Sequence, residues 1–104
     1  RSMYYAIFAT DRPDSTDLRL QTRPQHRVYL RDMTAHPEVS VIHGGPTLAE
    51  DGETMNGSML IVEAPSLAAA ETFAAGDPNR QAELSAACEV RPWAWTLGRP
   101  DAGE

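Results

Sequence analysis

The stretch Val39–Ala64, VSVIHGGPTLAEDGETMNGSMLIVEA, decides the fold. Its two ends, VSVIHG (Val39–Gly44) and MLIVEA (Met59–Ala64), are β-branched and apolar and read as strands. Gly45-Pro46 breaks the first of them. The segment Leu48–Asn56 carries Asp51-Gly52 and reads as the turn of a hairpin.

Toward the N-terminus, the pattern is helical from Ser15 to about His36. Pro24 predicts a break or a fresh start, and Tyr29, Leu30 and Met33 recur at helical spacing beyond it. His36-Pro37 ends the helix, because a residue before proline avoids the helical region. Ahead of the helix lie a polar loop, Asp11–Ser15, and an aromatic, β-branched strand, MYYAIFAT (Met3–Thr10). Arg1-Ser2 before Met3 reads as an expression scar.

Toward the C-terminus, Ser66 is an N-cap for an alanine-rich helix that stops at Gly76. Asp77-Pro78 starts a short helix to about Ala86, with proline at the first helical position. CEVRPWAWTL (Cys88–Leu97) is the last strand, and Gly98–Glu104 is a polar tail. The result is one domain over residues 3–97 with the order β-α-β-β-α-β. That is a ferredoxin-like α+β fold, a four-stranded antiparallel sheet with both helices on one face.

Both faces of this sheet are apolar. Tyr5 and Ile7 alternate with Tyr4, Ala6 and Phe8; Leu60 and Val62 with Met59 and Ile61; Val90 and Ala94 with Trp93, Trp95 and Leu97. A sheet with one wet face would alternate apolar with polar. The second face therefore predicts a homodimer packed through the open sheet, since a polar tail of seven residues is too little to cover it.

Composition narrows the function. The 104 residues hold nine basic side chains, all arginine, against fifteen acidic ones, for a formal charge of −6. This balance argues against nucleic acid and anionic membranes as partners, and the absence of lysine removes Schiff-base chemistry. No apolar run approaches the roughly 18–20 residues that span a bilayer. The single Cys88 excludes an internal disulfide and fits a reducing, cytoplasmic setting.

His26 precedes Leu30 and Met33 by one and two turns, so it shares their inward side and can move a proton near neutral pH. A half-buried, hydrogen-bonded core histidine has the same spacing. Asp77 is on its face an N-cap; a carboxylate there can also orient an imidazole. Ser58, after Gly57, is a turn residue or a hydroxyl donor to a substrate oxygen. Arg19, Arg23, Arg27 and Arg31 recur every four residues, the pattern of a solvated helix face with partners such as Asp32. Arg23, at the break and near His26, can reach an anionic ligand. His36 and His43 make no metal-ligand spacing with His26 or Cys88, and Gly44-Gly45-Pro46 fits no phosphate loop, so no metal and no cofactor is expected. Trp93 and Trp95 read as core or interface anchors.

In order and spacing, Arg23-Pro24-x-His26, Gly45-Pro46, Gly57-Ser58, Asp77-Pro78 and Pro92 resemble the YCII-related family over nearly the whole chain, Met3 to about Leu97. The resemblance implies a dimeric ferredoxin-like α+β barrel, similar in fold to muconolactone isomerases. It implies a site pairing His26 with Asp77, with Ser58 nearby. Asn79 stands where many members carry an aromatic residue. One branch is a dehydrochlorinase of a chlorinated hydroxyquinone, so the resemblance implies that proton abstraction is open to the scaffold. The function expected is a cofactor-independent lyase or isomerase acting on a small molecule. His26 would be the general base and Asp77 its orienting partner, with Ser58 or Arg23 holding the developing oxyanion. The alternatives are a non-catalytic protein that binds a small ligand in the same cleft, and a purely structural interaction domain.

Overall fold

The computed structural model describes residues 3–32, 34 and 36–99. Met33, the Arg1-Ser2 pair and the tail beyond Arg99 lie outside the described residues. The elements are β1 (Met3–Asp11), α1 (Thr16–Arg31), β2 (Ser40–Leu48), β3 (Met55–Ala64), α2 (Leu67–Ala75), α3 (Pro78–Gln81) and β4 (Ser85–Trp93). The sheet order is β2-β3-β1-β4, antiparallel at every pairing. This is the ferredoxin-like arrangement.

The helix-facing side of the sheet carries the core. Tyr5 and Ile7 from β1 and Leu60, Val62 and Ala64 from β3 pack with Ala70, Phe73 and Ala74 from α2. Val39 and Leu84, just before β2 and β4, are buried completely or nearly so. Burying each such aliphatic or aromatic side chain stabilises by about 1.5–3 kcal/mol, offset by the entropy of ordering it.

Several boundaries differ from those the sequence predicts. Helix α1 runs unbroken through Pro24. A proline inside a helix costs about 3 kcal/mol, and anchors on both sides of it offset that. Before Pro24, Arg19 holds Asp11 and Ser58, and Thr22 holds Asn79. After it, His26 holds Asp77, and Tyr29 holds the Phe73 carbonyl. The helix stops at Arg31, not His36, because Asp32 turns the chain: its side chain accepts from both the backbone N–H and the hydroxyl of Thr34. These bonds also hold the Asp32 carboxyl below its usual range.

Gly45-Pro46 does not end β2. The strand is at the sheet edge, where a missing N–H on its outer side leaves no ladder bond unmade, and it continues to Leu48. Pro92 has the same licence in β4, the other edge. Strand β3 accordingly starts early, at Met55, and the hairpin loop shrinks to residues 49–54. Asp51 organises it by accepting from the Glu53 and Thr54 amides and the Thr54 hydroxyl, which pull its carboxyl down to about 2. Gly52 supplies the positive φ of 72° that the turn requires. Helix α3 ends at Gln81, not Ala86. Glu83 adopts φ 61°, the Leu84 amide bonds back to the Asn79 carbonyl, and Leu84 drops into the core.

Gly57 is fixed by close approach. A Cβ there would lie 2.3 Å from the backbone oxygen of Ala9 in the neighbouring strand. Gly57→Ala must therefore push β1 and β3 apart next to Ser58, and the expected cost is about 1–3 kcal/mol. Chemical denaturation checks this; a midpoint equal to wild type would contradict it.

The last strand is shorter than its sequence predicts, ending at Trp93 rather than Leu97. The chain then turns back over the side of the sheet away from the helices. Trp95 packs edge-on against Tyr4 and His43 and stacks on Trp93, and Arg99 lies 5.9 Å from the Tyr4 ring centre. Ile61, on that face, is buried within one protomer. Trp95, which the sequence places in the last strand, is therefore what lies over one end of this face. At the other end Phe8 remains 47% exposed.

Candidate active site

The site is built on α1. Arg19, Arg23 and His26 occur at i, i+4 and i+7, so one helical face presents all three. The helix-facing edge of the sheet lies opposite, with Ser58 on β3 and Gly44 and Pro46 on β2.

Arg19 is not on the solvated face that its spacing predicts. It is 3% exposed, and its guanidinium grips the Asp11 carboxylate two-pronged, Nε on Oδ2 and Nη2 on Oδ1, the latter at 2.8 Å. Nη2 also donates to Ser58 Oγ at 3.0 Å. The Ser58 oxygen is thus occupied as an acceptor. Its own O–H finds no acceptor among the described residues. The pairing of Asp11 with Arg19 beside Ser58 is what sequence reasoning missed. A pair eight residues apart, across a loop, has no periodic signature, and Asp11 resembles any loop aspartate.

His26 is 8% exposed. Its Nδ1 lies 2.7 Å from Asp77 Oδ1. Asp77 caps α3, and the same oxygen accepts the Asn79 amide at 2.9 Å. A carboxylate only accepts, so Nδ1 carries the hydrogen, and in the neutral ring Nε2 keeps the lone pair. Capping and orienting are one structure here: Pro78 and the Asn79 amide fix the carboxylate, and the carboxylate fixes the tautomer. Burial and the nearby Asp77 charge push the Tyr29 phenol up to about 12, so it stays a neutral donor to the Phe73 carbonyl. Asn79, which replaces the aromatic residue that the resemblance leads one to expect, is buried and accepts from Thr22 Oγ1 at 2.7 Å. It ties α3 to α1 instead of walling a pocket with a ring.

Between α1 and β2 lies an open cleft of about 370 Å³. Arg19, Arg23, His26 and Ser58 all line it, with Leu30, Val41, Pro46 and Met55 as apolar surface. Asp77 backs the imidazole from a separate, one-water-sized cavity of about 20 Å³ shared with Cys88. Burial pushes the Cys88 thiol up, with Arg80 opposing, so it is a poor nucleophile at neutral pH. Among the described residues no group of three or more His, Cys, Asp or Glu side chains could hold a metal ion, and no helix is long and apolar enough to cross a membrane.

The model of the YCII-related domain matches residues 3–94. The chain belongs to the YCII-related domain family. An uncharacterized protein of Haemophilus influenzae is 36% identical over 96 residues, covering 88% of this chain and 96% of its own. Protein YciI of Escherichia coli is 34% identical over the same shares. Among solved structures, 5-chloro-2-hydroxyhydroquinone dehydrochlorinase (TftG) of Burkholderia phenoliruptrix, in complex with 2,5-dihydroxybenzoquinone, superposes with a TM-score of 0.76 at 35% identity, covering 88% of this chain and 94% of that one. A dimeric ferredoxin-like protein of unknown function from Bacteroides fragilis shares the fold at 15% identity and a TM-score of 0.59. This YCII-family chain thus has a dehydrochlorinase as a structural neighbour, and its oriented imidazole lines an open cleft.

Proposed function

We propose that the chain is a small-molecule enzyme of lyase or isomerase type, in which His26 Nε2 takes a proton from a C–H or O–H next to a carbonyl or enol. The observation that carries this reading is the 2.7 Å contact of His26 Nδ1 with Asp77 in a histidine that lines the cleft. As the proton arrives on Nε2, the ring becomes an imidazolium, and the Asp77 carboxylate stabilises the new charge. The negative charge left on the substrate oxygen is met by the Ser58 O–H and the Arg23 guanidinium. In an isomerisation the proton returns at another carbon. In an elimination a leaving group such as chloride departs with its bonding electrons, and the imidazolium later releases its proton to water. No cofactor enters either route.

The likeness to TftG makes 5-chloro-2-hydroxyhydroquinone the first substrate to test. Chloride release at a rate proportional to enzyme supports a lyase. Stable binding of the compound without chloride release supports a ligand-binding protein instead.

We further propose a cytoplasmic homodimer joined through the part of the open sheet face that Trp95 leaves bare. Phe8 and Met59 sit side by side there on β1 and β3, with Phe8 47% exposed. Sedimentation velocity is expected to give about twice the 11.4 kDa protomer mass, and Phe8→Glu to give single protomers. A wild-type species at the protomer mass at working concentrations would contradict this.

A further inference from the structure

Arg27 and Arg31 extend the line of Arg23 along the cleft wall, one turn apart, or about 6 Å of axial rise each. Like charges at i, i+4 destabilise a helix by about 0.2–0.5 kcal/mol per pair, and a surface helix ordinarily interleaves carboxylates. None is interleaved here. The described ion pairs are Arg19 with Asp11, His26 with Asp77 and Arg91 with Glu89, so Arg23, Arg27 and Arg31 have no carboxylate within 4 Å among the described residues. The cleft lining holds four arginines and no acidic side chain. Arg19 is neutralised by Asp11, so about three positive charges border this concavity, and the same three also line the shallower groove beside Leu20, Pro24 and Val28, in a chain whose formal charge is −6.

We infer that the cleft's own substrate is an anion, whose carboxylate or phosphate is gripped by Arg27 and Arg31 while its acidic hydrogen faces His26; 5-chloro-2-hydroxyhydroquinone, which lacks that group, would turn over as a truncated substrate. Guanidinium forks suit both oxyanions, and each charge-assisted bond is about twice as strong as a neutral one. The cleft volume fits a small molecule, and the negative bulk of the chain repels a polyanion. This inference rests on reading the cleft as the substrate site, and it fails separately from the base assigned to His26.

The probes are inorganic phosphate and malonate, titrated into the full chain while NMR follows the arginine Nε–H groups. Wild type is expected to saturate with one of them, and added salt to weaken the binding. Arg27→Gln with Arg31→Gln is expected to weaken it at least tenfold, and Arg12→Gln, in the exposed loop after β1, to leave it unchanged. The tighter probe identifies the oxyanion. His26→Asn is expected to bind the anion as wild type does, so loss of its turnover reports on the base alone. Wild type without saturable shifts, or a double variant that binds as tightly as wild type, would overturn the inference.

Discussion

His26→Ala is expected to lower the rate of chloride release from 5-chloro-2-hydroxyhydroquinone by about 10²–10⁴-fold, the usual contribution of a positioned general base. Its effect should fall on kcat, because the imidazole acts on the proton in flight rather than on the bound ground state. Asp77→Asn is the sharper variant. Its amide keeps the size of the side chain, and its oxygen can go on accepting from the Asn79 amide and from His26 Nδ1–H, but the negative charge is gone. The imidazolium that forms as the proton arrives then has no carboxylate to stabilise it. A loss of similar size is expected, about 10²–10⁴-fold, with stability changed much less. If both variants turn over at the wild-type rate, the proton passes through some other group and the mechanism is wrong.

Asp11→Ala is expected to have the largest effect on stability. It leaves the Arg19 guanidinium, 3% exposed, without its carboxylate. Breaking a buried pair from one side costs about 3–5 kcal/mol, a large share of the roughly 5–15 kcal/mol that holds a domain of this size. At about 4–8 °C per kcal/mol, Tm should fall by at least ~12 °C. Removing both charges with Asp11→Ala and Arg19→Met is expected to recover most of the loss, because a methionine leaves no charge to desolvate. A single variant melting within about 2 °C of wild type would mean that the pair is not coupled in the way its burial implies.

The elements that were legible in the sequence are those whose signal is local. Runs of β-branched, aromatic and aliphatic residues announce β1 and β3, Ser66 announces α2, and Asp77-Pro78 announces α3. Even the pairing of His26 with Asp77, read from a resemblance, joins two residues that each carry a local mark. Errors cluster where tertiary contact overrides local preference. Pro24 should break a helix, but side-chain anchors on both sides of it hold the helix straight through. Gly45-Pro46 should end a strand, but an edge strand does not need that N–H. Trp95 alternates like a strand residue, yet the chain has already left the sheet and folded back. Arg19 is the instructive miss. Its four-residue spacing with Arg23, Arg27 and Arg31 is genuine, but one end of that stripe dives into the protein to meet Asp11, and only a three-dimensional partner distinguishes it from its neighbours.

The central claim is that Asp77 holds the hydrogen on His26 Nδ1 and leaves Nε2 as the base. Long-range ¹H–¹⁵N correlation spectra of the imidazole, taken at a pH where the ring is neutral, read this directly without a substrate. The structure predicts a protonated Nδ1 and a bare Nε2. A neutral wild-type ring with its hydrogen on Nε2 would contradict the account.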